Sequence, residues 1–218
     1  MPSVTKENYL KALYTLHQIS TDISVSDLGQ LLEVSKPTVS DMVKKLEVKG
    51  WVAYEKYKPL RLTGLGEKVA ALVIRKHRLS EMFLVQVMGF GWEEVHDVAE
   101  ELEHIRSEKL FDRMDELMGF PSEDPHGSPI PDKEGNLISP AHVILSNVAP
   151  GTKVVFRALK DSSVDFLLYL NKKKLQLGAE ITVESVESFD KSVVVTYANH
   201  SFQVLTDRVA SRLLVELI

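Results

Sequence analysis

The chain has 218 residues, 44% of them apolar and 26% charged, a balance that excludes a disordered or collagen-like polymer and allows one to three small domains. It contains no cysteine, which excludes disulfide frameworks, thiolate zinc sites, iron–sulfur clusters and thiol catalysis. The net charge is −5, distributed as +2 over residues 1–70, −8 over 71–140 and +1 over 141–218, so the acid is concentrated in the middle third. Such a segment is either a solvated helical surface or a set of cation-binding carboxylates.

In chain order, three helices come first. Lys6–Ile19 carries Tyr9, Leu10, Leu13 and Leu16 at helical spacing. Ser24 and Asp27 offer caps for a short helix holding Leu28, Leu31 and Leu32. Ser35 and Pro37 open a third helix with Val39, Met42, Val43 and Leu46 on its apolar stripe, and Gly50 stops it. Two short β-like runs, Trp51–Glu55 and Leu60–Thr63, flank a basic tip. This order predicts a winged helix-turn-helix. A long helix is expected from Gly64 to about Met88, then helices over about Glu93–Ile105 and Ser107–Met118. The Pro- and Gly-rich stretch Phe120–Gly135 reads as a loop that closes the helical half. Beyond Gly151, strands are expected at Val154–Phe156, Ile181–Val183, Ser192–Tyr197 and Phe202–Leu205, with short helices at Val164–Leu170 and Asp207–Leu214. The fold class expected is mainly α with a small C-terminal β barrel.

The longest aliphatic run, Val69–Ile74, is far short of the ~20 residues a membrane helix needs. The first residues hold no apolar signal core, so a cytoplasmic protein that engages no membrane is expected.

Two constellations carry chemistry. If the third helix enters a major groove, Ser35, Lys36, Pro37, Thr38, Ser40 and Asp41 face base edges, with Lys44 and Lys45 behind them and Lys56 and Lys58 on the wing facing phosphates. The same pattern fits a three-helix interaction module with a solvated face. The second constellation is His96, Glu100, Glu103 and His104, spaced to share a ~100° arc of one helix. His77 and Glu81 repeat the spacing on the preceding helix, and two antiparallel helices would bring all six together. Imidazoles and carboxylates without sulfur suit Mn²⁺ or Fe²⁺. The competing reading is an exposed acidic helix that happens to hold histidines. Glu93-x-x-His96 and Glu101-x-x-His104 also match a di-iron motif, but such motifs sit on separate helices of a four-helix bundle, and here both lie on one. His17, His142 and His200 stand alone. No phosphate loop or nucleophile elbow is present, and neither an enzyme nor a small organic substrate is expected.

Four segments together resemble the DtxR/MntR family of metal-dependent transcriptional repressors: Ser35 to Leu46, Arg75 to Glu81, Val95 to Asp97 with Glu103-His104, and Asp124 to Pro131. The resemblance covers essentially the whole chain. It implies a winged helix-turn-helix domain over 1–64, a helical metal-binding and dimerisation domain over 65–139 and an SH3-like (FeoA-like) domain over 149–218. It implies a homodimer that binds a palindromic operator on double-stranded DNA and represses metal-uptake genes when metal is present. Two metal sites per subunit follow: a primary one of Asn8, Glu100, Glu103 and His104, and an ancillary one of His77, Glu81 and His96. Further ligands are expected from Asp124 and His126 and, in the SH3-like domain, Asp161 and Asp165.

Three positions depart from the pattern. Iron-type members place Met and Cys where this chain has Asn8 and Glu100. Manganese-type members carry Asp at the position of Asn8 and a second acid at that of Lys11. Asp41 stands where Gln is common. The oxygen-rich set makes Mn²⁺ the expected effector and Fe²⁺ the second choice. The alternative from a different class is a helical metal-storage or metallo-hydrolase protein without DNA binding.

Overall fold

The structure, a computed structural model, describes residues 2–20, 22–55, 58–138 and 140–218. They form two compact units, one of Met1–Ser80, Val98–Ser122 and Ile130–Ile138, the other of Glu81–Asp97, Glu123–Pro129 and Ser139–Ile218.

The first unit opens with α1 (Val4–Ile19), α2 (Val25–Leu31) and α3 (Lys36–Glu47). Both short helices begin where their caps dictate. The Ser24 hydroxyl accepts from the Asp27 N–H while the Asp27 carboxylate accepts from the Ser24 N–H, a reciprocal box that satisfies two end donors. At α3, Ser35 accepts from the Thr38 N–H and Pro37 occupies the first turn, where its missing N–H costs nothing. Strands β1 (Val52–Ala53) and β2 (Arg61–Leu62) pair antiparallel, and Ile23 bridges to Leu60 beside them. Leu10, Leu13, Leu28, Val39, Val43, Leu46 and Leu60 fill the core beneath this wing. Thr63 then joins the wing to α4 (Gly64–Gln86): its hydroxyl donates to the Gly50 carbonyl and accepts from the Gly66 N–H. Gly66 is required there, because a Cβ would sit 1.9 Å from the Trp51 carbonyl oxygen. In α6 (Glu108–Leu117), Asp115 pairs with Arg75 at 2.5 Å, and Arg75 also donates to the Pro131 carbonyl at 2.7 Å.

Helix α5 is shorter than the expected Glu93–Ile105 and runs only from His96 to Leu102. Two side chains end the periodicity early at its front. The Glu94 carboxylate accepts from the Gly91 N–H, and the Glu93 carboxylate accepts from the Asn171 amide. At its back, Glu103 and His104 lie in a turn. The four residues expected on one helical arc are therefore divided between a helix and the turn that leaves it.

The second unit is built on a six-stranded antiparallel sheet. Its strands are β3 (Val143–Ile144), β4 (Lys153–Leu159), β5 (Glu180–Val186), β6 (Val193–Tyr197), β7 (His200–Leu205) and β8 (Leu213–Leu217), in the order β3-β8-β4-β5-β6-β7. Helix α7 (Val164–Lys173) packs Phe166, Leu167 and Leu170 against Phe156, Ile181, Val195 and Leu213. The helix expected over Asp207–Leu214 ends at Ala210 as α8 (Asp207–Ala210). A short apolar run such as Leu213–Leu217 suits helix or strand by pattern alone. Pairing with β4 decides for the strand, since it buries Leu213 and Val215 on one face. Among the described residues, no helix is long and apolar enough to cross a membrane.

Candidate metal centre

In the first unit, α1 meets the segment that leaves α5. The Glu103 carboxylate is fully buried. One of its oxygens accepts from His77 Nδ1 at 2.6 Å, and Lys11 Nζ donates to both at 2.9 Å. The same ammonium donates to Glu100. Burial raises the affinity of Glu103 for a proton, but the His77 hydrogen bond and the Lys11 charge outweigh it and hold the carboxyl below the ordinary glutamate range. His77, Glu100 and Glu103 present ligand atoms within 4.8 Å of one another.

His104 approaches from the same turn. Its Nδ1 donates to the buried Glu7 carboxylate at 2.7 Å, which leaves Nε2, 3.6 Å from a Glu103 oxygen, as the nitrogen with a lone pair to give. Asn8, between Glu7 and Lys11 on α1, has a buried Oδ1 with no hydrogen-bond partner. A buried acceptor left unpaired costs about 1–3 kcal/mol, and a cation at this place would remove that cost. Glu100, Glu103 and His104 of the expected primary set thus come together with His77, and Asn8 lies on α1 between Glu7 and Lys11, the residues that bond to them. Glu7 sets the His104 tautomer, so Glu7→Ala is expected to weaken Mn²⁺ binding by about 10–100-fold while leaving the fold intact. Titration calorimetry checks this, and an unchanged affinity would mean that His104 is oriented by something else.

The second unit gathers Glu81, Asp124 and His126, all buried, with ligand atoms within 4.8 Å of one another. His126 Nε2 donates to the Trp92 carbonyl at 2.8 Å, and Nδ1 lies 3.8 Å from Glu81. Burial lowers the His126 pKa, but Glu81, Asp124 and the Trp92 carbonyl more than reverse this, and it ends above the ordinary histidine value. A cation would take the place of the Nδ1 proton, so the donor set fits a divalent ion. The loop carrying these residues is tightly built. Asp124 Oδ1 accepts from the His126 and Ser128 N–H groups, and the His126 carbonyl accepts from Leu159 N–H on β4. His96 Nδ1 stands 3.4 Å from Glu81 with its side chain 56% exposed.

His77 bonds Glu103, and Glu81 lies with Asp124 and His126. The structure brings neither Asp161 nor Asp165 into these groups. Asp161 pairs with Arg212 at 2.8 Å and accepts from the Ser163 N–H, while Asp165 lies exposed in the first turn of α7. Sequence reasoning missed Glu7, Trp92 and Asn171, and noted Lys11 only as a departure. Glu7 had one legible signal, its i, i+4 spacing to Lys11 on a helix face. Trp92 acts through its carbonyl, which no side-chain pattern marks.

On α3, Ser35, Lys36, Pro37, Thr38, Asp41, Lys44 and Lys45 are exposed and Ser40 is half-buried. The Ser35 and Thr38 hydroxyls share a 2.8 Å hydrogen bond, so part of their capacity is spent on the cap. Lys44 lies 3.9 Å from Asp41, and Lys58 pairs with Glu55 at 2.7 Å. Lys56 lies outside the described residues.

A helix-turn-helix with a wing, joined to clustered carboxylates and imidazoles that are mostly buried, defines a metal-responsive DNA-binding protein. Comparison with known proteins agrees. Residues 1–60 match the model of the iron dependent repressor N-terminal DNA binding domain. Residues 63–132 match that family's metal binding and dimerisation domain, and 143–217 match the FeoA domain. The iron-dependent repressor IdeR of Mycobacterium leprae is 30% identical over 226 residues, covering 98% of this chain and 97% of that one. The diphtheria toxin repressor of Corynebacterium diphtheriae is 35% identical over 153 residues, covering 69% and 65%. A solved structure described as a manganese-dependent transcriptional repressor in complex with manganese superimposes with a TM-score of 0.87 at 31% identity, covering 98% of this chain and all of that one. ScaR with bound Cd²⁺ gives 0.82 at 33% identity, covering 98% and 99%. The chain belongs to the DtxR/MntR family of metal-dependent, DNA-binding transcriptional repressors.

Proposed function

We propose that this repressor senses Mn²⁺, with Fe²⁺ as the second candidate, and acts in the cytoplasm. It binds a palindromic operator as a homodimer and shuts off metal-uptake genes. It binds no small organic substrate and catalyses no reaction. The observation that carries the choice of metal is the donor set. Glu100, Glu103 and the Asn8 amide with His104, and Glu81 and Asp124 with His126, supply mostly oxygen and no sulfur, which suits manganese and ferrous iron over softer ions. The solved neighbour with manganese supports the same choice.

Two sites per subunit are proposed, one on each group, with His96 and His77 at their margins. Asn8 on α1 with Glu100, Glu103 and His104 would hold the first ion, whose charge would neutralise the carboxylates. Asn8 belongs to the winged helix-turn-helix segment, and Glu100, Glu103 and His104 to the dimerisation segment. Fixing one to the other sets the spacing of the two recognition helices, which dimeric helix-turn-helix proteins place about 34 Å apart. The ordering cost is then met before DNA arrives. The exposed α3 favours this reading over metal storage or hydrolysis without DNA.

The test is fluorescence anisotropy of labelled promoter DNA from upstream of a metal-transporter gene in the source genome, in EDTA, Mn²⁺ or anaerobic Fe²⁺ at one salt concentration. Tight binding is expected with Mn²⁺ and not with EDTA, and His104→Ala should remove the difference. Equal binding in EDTA and Mn²⁺ sinks the proposal. In the same assay Lys45→Ala should weaken every sequence alike and flatten the slope of log affinity against log salt by about 1, the effect of losing one phosphate contact. A sequence-dependent loss would instead place Lys45 on a base.

A further inference from the structure

Lys11 is the least expected occupant of the first centre. Its side chain comes from α1, is 19% exposed and ends on the carboxylates that the proposed function gives to the metal. An ammonium has three protons. Here two go to the two oxygens of Glu103 and one to Glu100, so every donor is spent on the pair. Glu103 is sealed from water, and a buried carboxylate requires a compensating cation. His77 supplies a hydrogen bond to it, and Lys11 the charge. The Asn8 Oδ1, three residues earlier on α1, is buried without a hydrogen-bond partner.

We propose that Lys11 is the resident counter-cation of the Glu100/Glu103 pair. It holds α1 against the segment after α5 in the metal-free protein, and a divalent ion has to displace it. This rests on the metal-sensing reading above. The geometry favours displacement over coexistence: the ammonium occupies both oxygens of Glu103 and one of Glu100, the same atoms an ion would need. The four-carbon stem gives the ammonium a route to water when it is driven out. The site is therefore assembled before metal arrives, and its threshold is set by competition between two cations rather than by the ligands alone.

The test is calorimetric titration of Mn²⁺ into the full-length protein in three forms: wild type, Lys11→Met and Lys11→Arg. Methionine keeps the length and loses the charge, while arginine keeps the charge. One class of sites is expected to stay the same in all three. The other should tighten at least tenfold in Lys11→Met and stay weak in Lys11→Arg. No tightening in Lys11→Met, or equal tightening in both variants, overturns the proposal. If Lys11→Met does not fold without metal, its thermal unfolding is followed against Mn²⁺ concentration. The expected result is a melting temperature below wild type without metal and a steeper rise with it, and no rescue by Mn²⁺ overturns the proposal. If wild type binds no Mn²⁺, the metal-sensing reading falls and this one with it. If wild type binds Mn²⁺ and DNA normally while Lys11→Met is unchanged, only the role of Lys11 falls.

Discussion

Glu103→Gln is expected to lower the melting temperature of the metal-free protein and to erase the stabilisation that Mn²⁺ confers through the first centre. The carboxylate is the common partner of His77 and Lys11. Breaking a buried pair from one side costs about 3–5 kcal/mol. The lower end applies here, because Lys11 keeps Glu100 and part of its side chain is solvated. For a chain of this size, about 3 kcal/mol corresponds to roughly 6–12 °C. Each centre should add about 2.7 kcal/mol at a Mn²⁺ concentration a hundredfold above its own dissociation constant. The variant should lose the share of the first centre and keep that of the second. Scanning calorimetry with and without Mn²⁺ reads both quantities. A change under 2 °C without metal would show that Glu103 is not the hub of the pair network.

The same variant has a pH signature. Glu103 is held below its ordinary value in the folded state. A carboxyl lowered by folding contributes stability above its unfolded pKa, about 4.3, and loses it as the pH falls through the lower folded value. The acid limb of the stability curve should therefore be shallower in Glu103→Gln than in wild type. Parallel limbs would remove Glu103 from the account.

Gly127→Ala is expected to dismantle the second centre. The residue has φ +82°, and an added Cβ would lie 2.1 Å from the Arg157 carbonyl and 2.6 Å from the Ala158 Cα, both on β4. Backbone cannot yield as a flexible side chain does, so the loop must lift away. Overpacking costs about 1–3 kcal/mol, and a left-handed non-glycine residue adds roughly 1–2 kcal/mol. The movement breaks the bond from Leu159 N–H to the His126 carbonyl and unseats His126 from the Trp92 carbonyl. Metal stoichiometry should fall from two Mn²⁺ per chain to one, with the first centre keeping its affinity. A variant that still binds two ions would place the second site elsewhere.

These effects separate what pattern reveals from what packing creates. The winged helix-turn-helix was legible because its signals are local. Ser24, Ser35 and Pro37 start helices through bonds that span three residues, and Gly50 ends one. The ligand chemistry was legible for the same reason, since Glu100, Glu103, His104, Glu81 and His126 announce themselves by type and spacing. The length of α5 was not, because its ends are decided by Asn171 on Glu93, far along the chain, and by the partners of Glu103. Strand β8 was not, because Leu213–Leu217 takes its conformation from β4.

The sequence by itself determined the class of the protein, the order of elements through the helical half, and the absence of cysteine that restricts the metal. The tertiary structure alone decided which candidate ligands come together within each unit: His77 bonds Glu103, and Glu81 lies with Asp124 and His126. It alone decided that Glu7 orients His104 and that Lys11 neutralises Glu100 and Glu103. The physical reason is that helical periodicity specifies a face and not its partner. The charges that meet here are about ninety residues apart in sequence, and packing α1 against the turn after α5 is what brings them within hydrogen-bond reach.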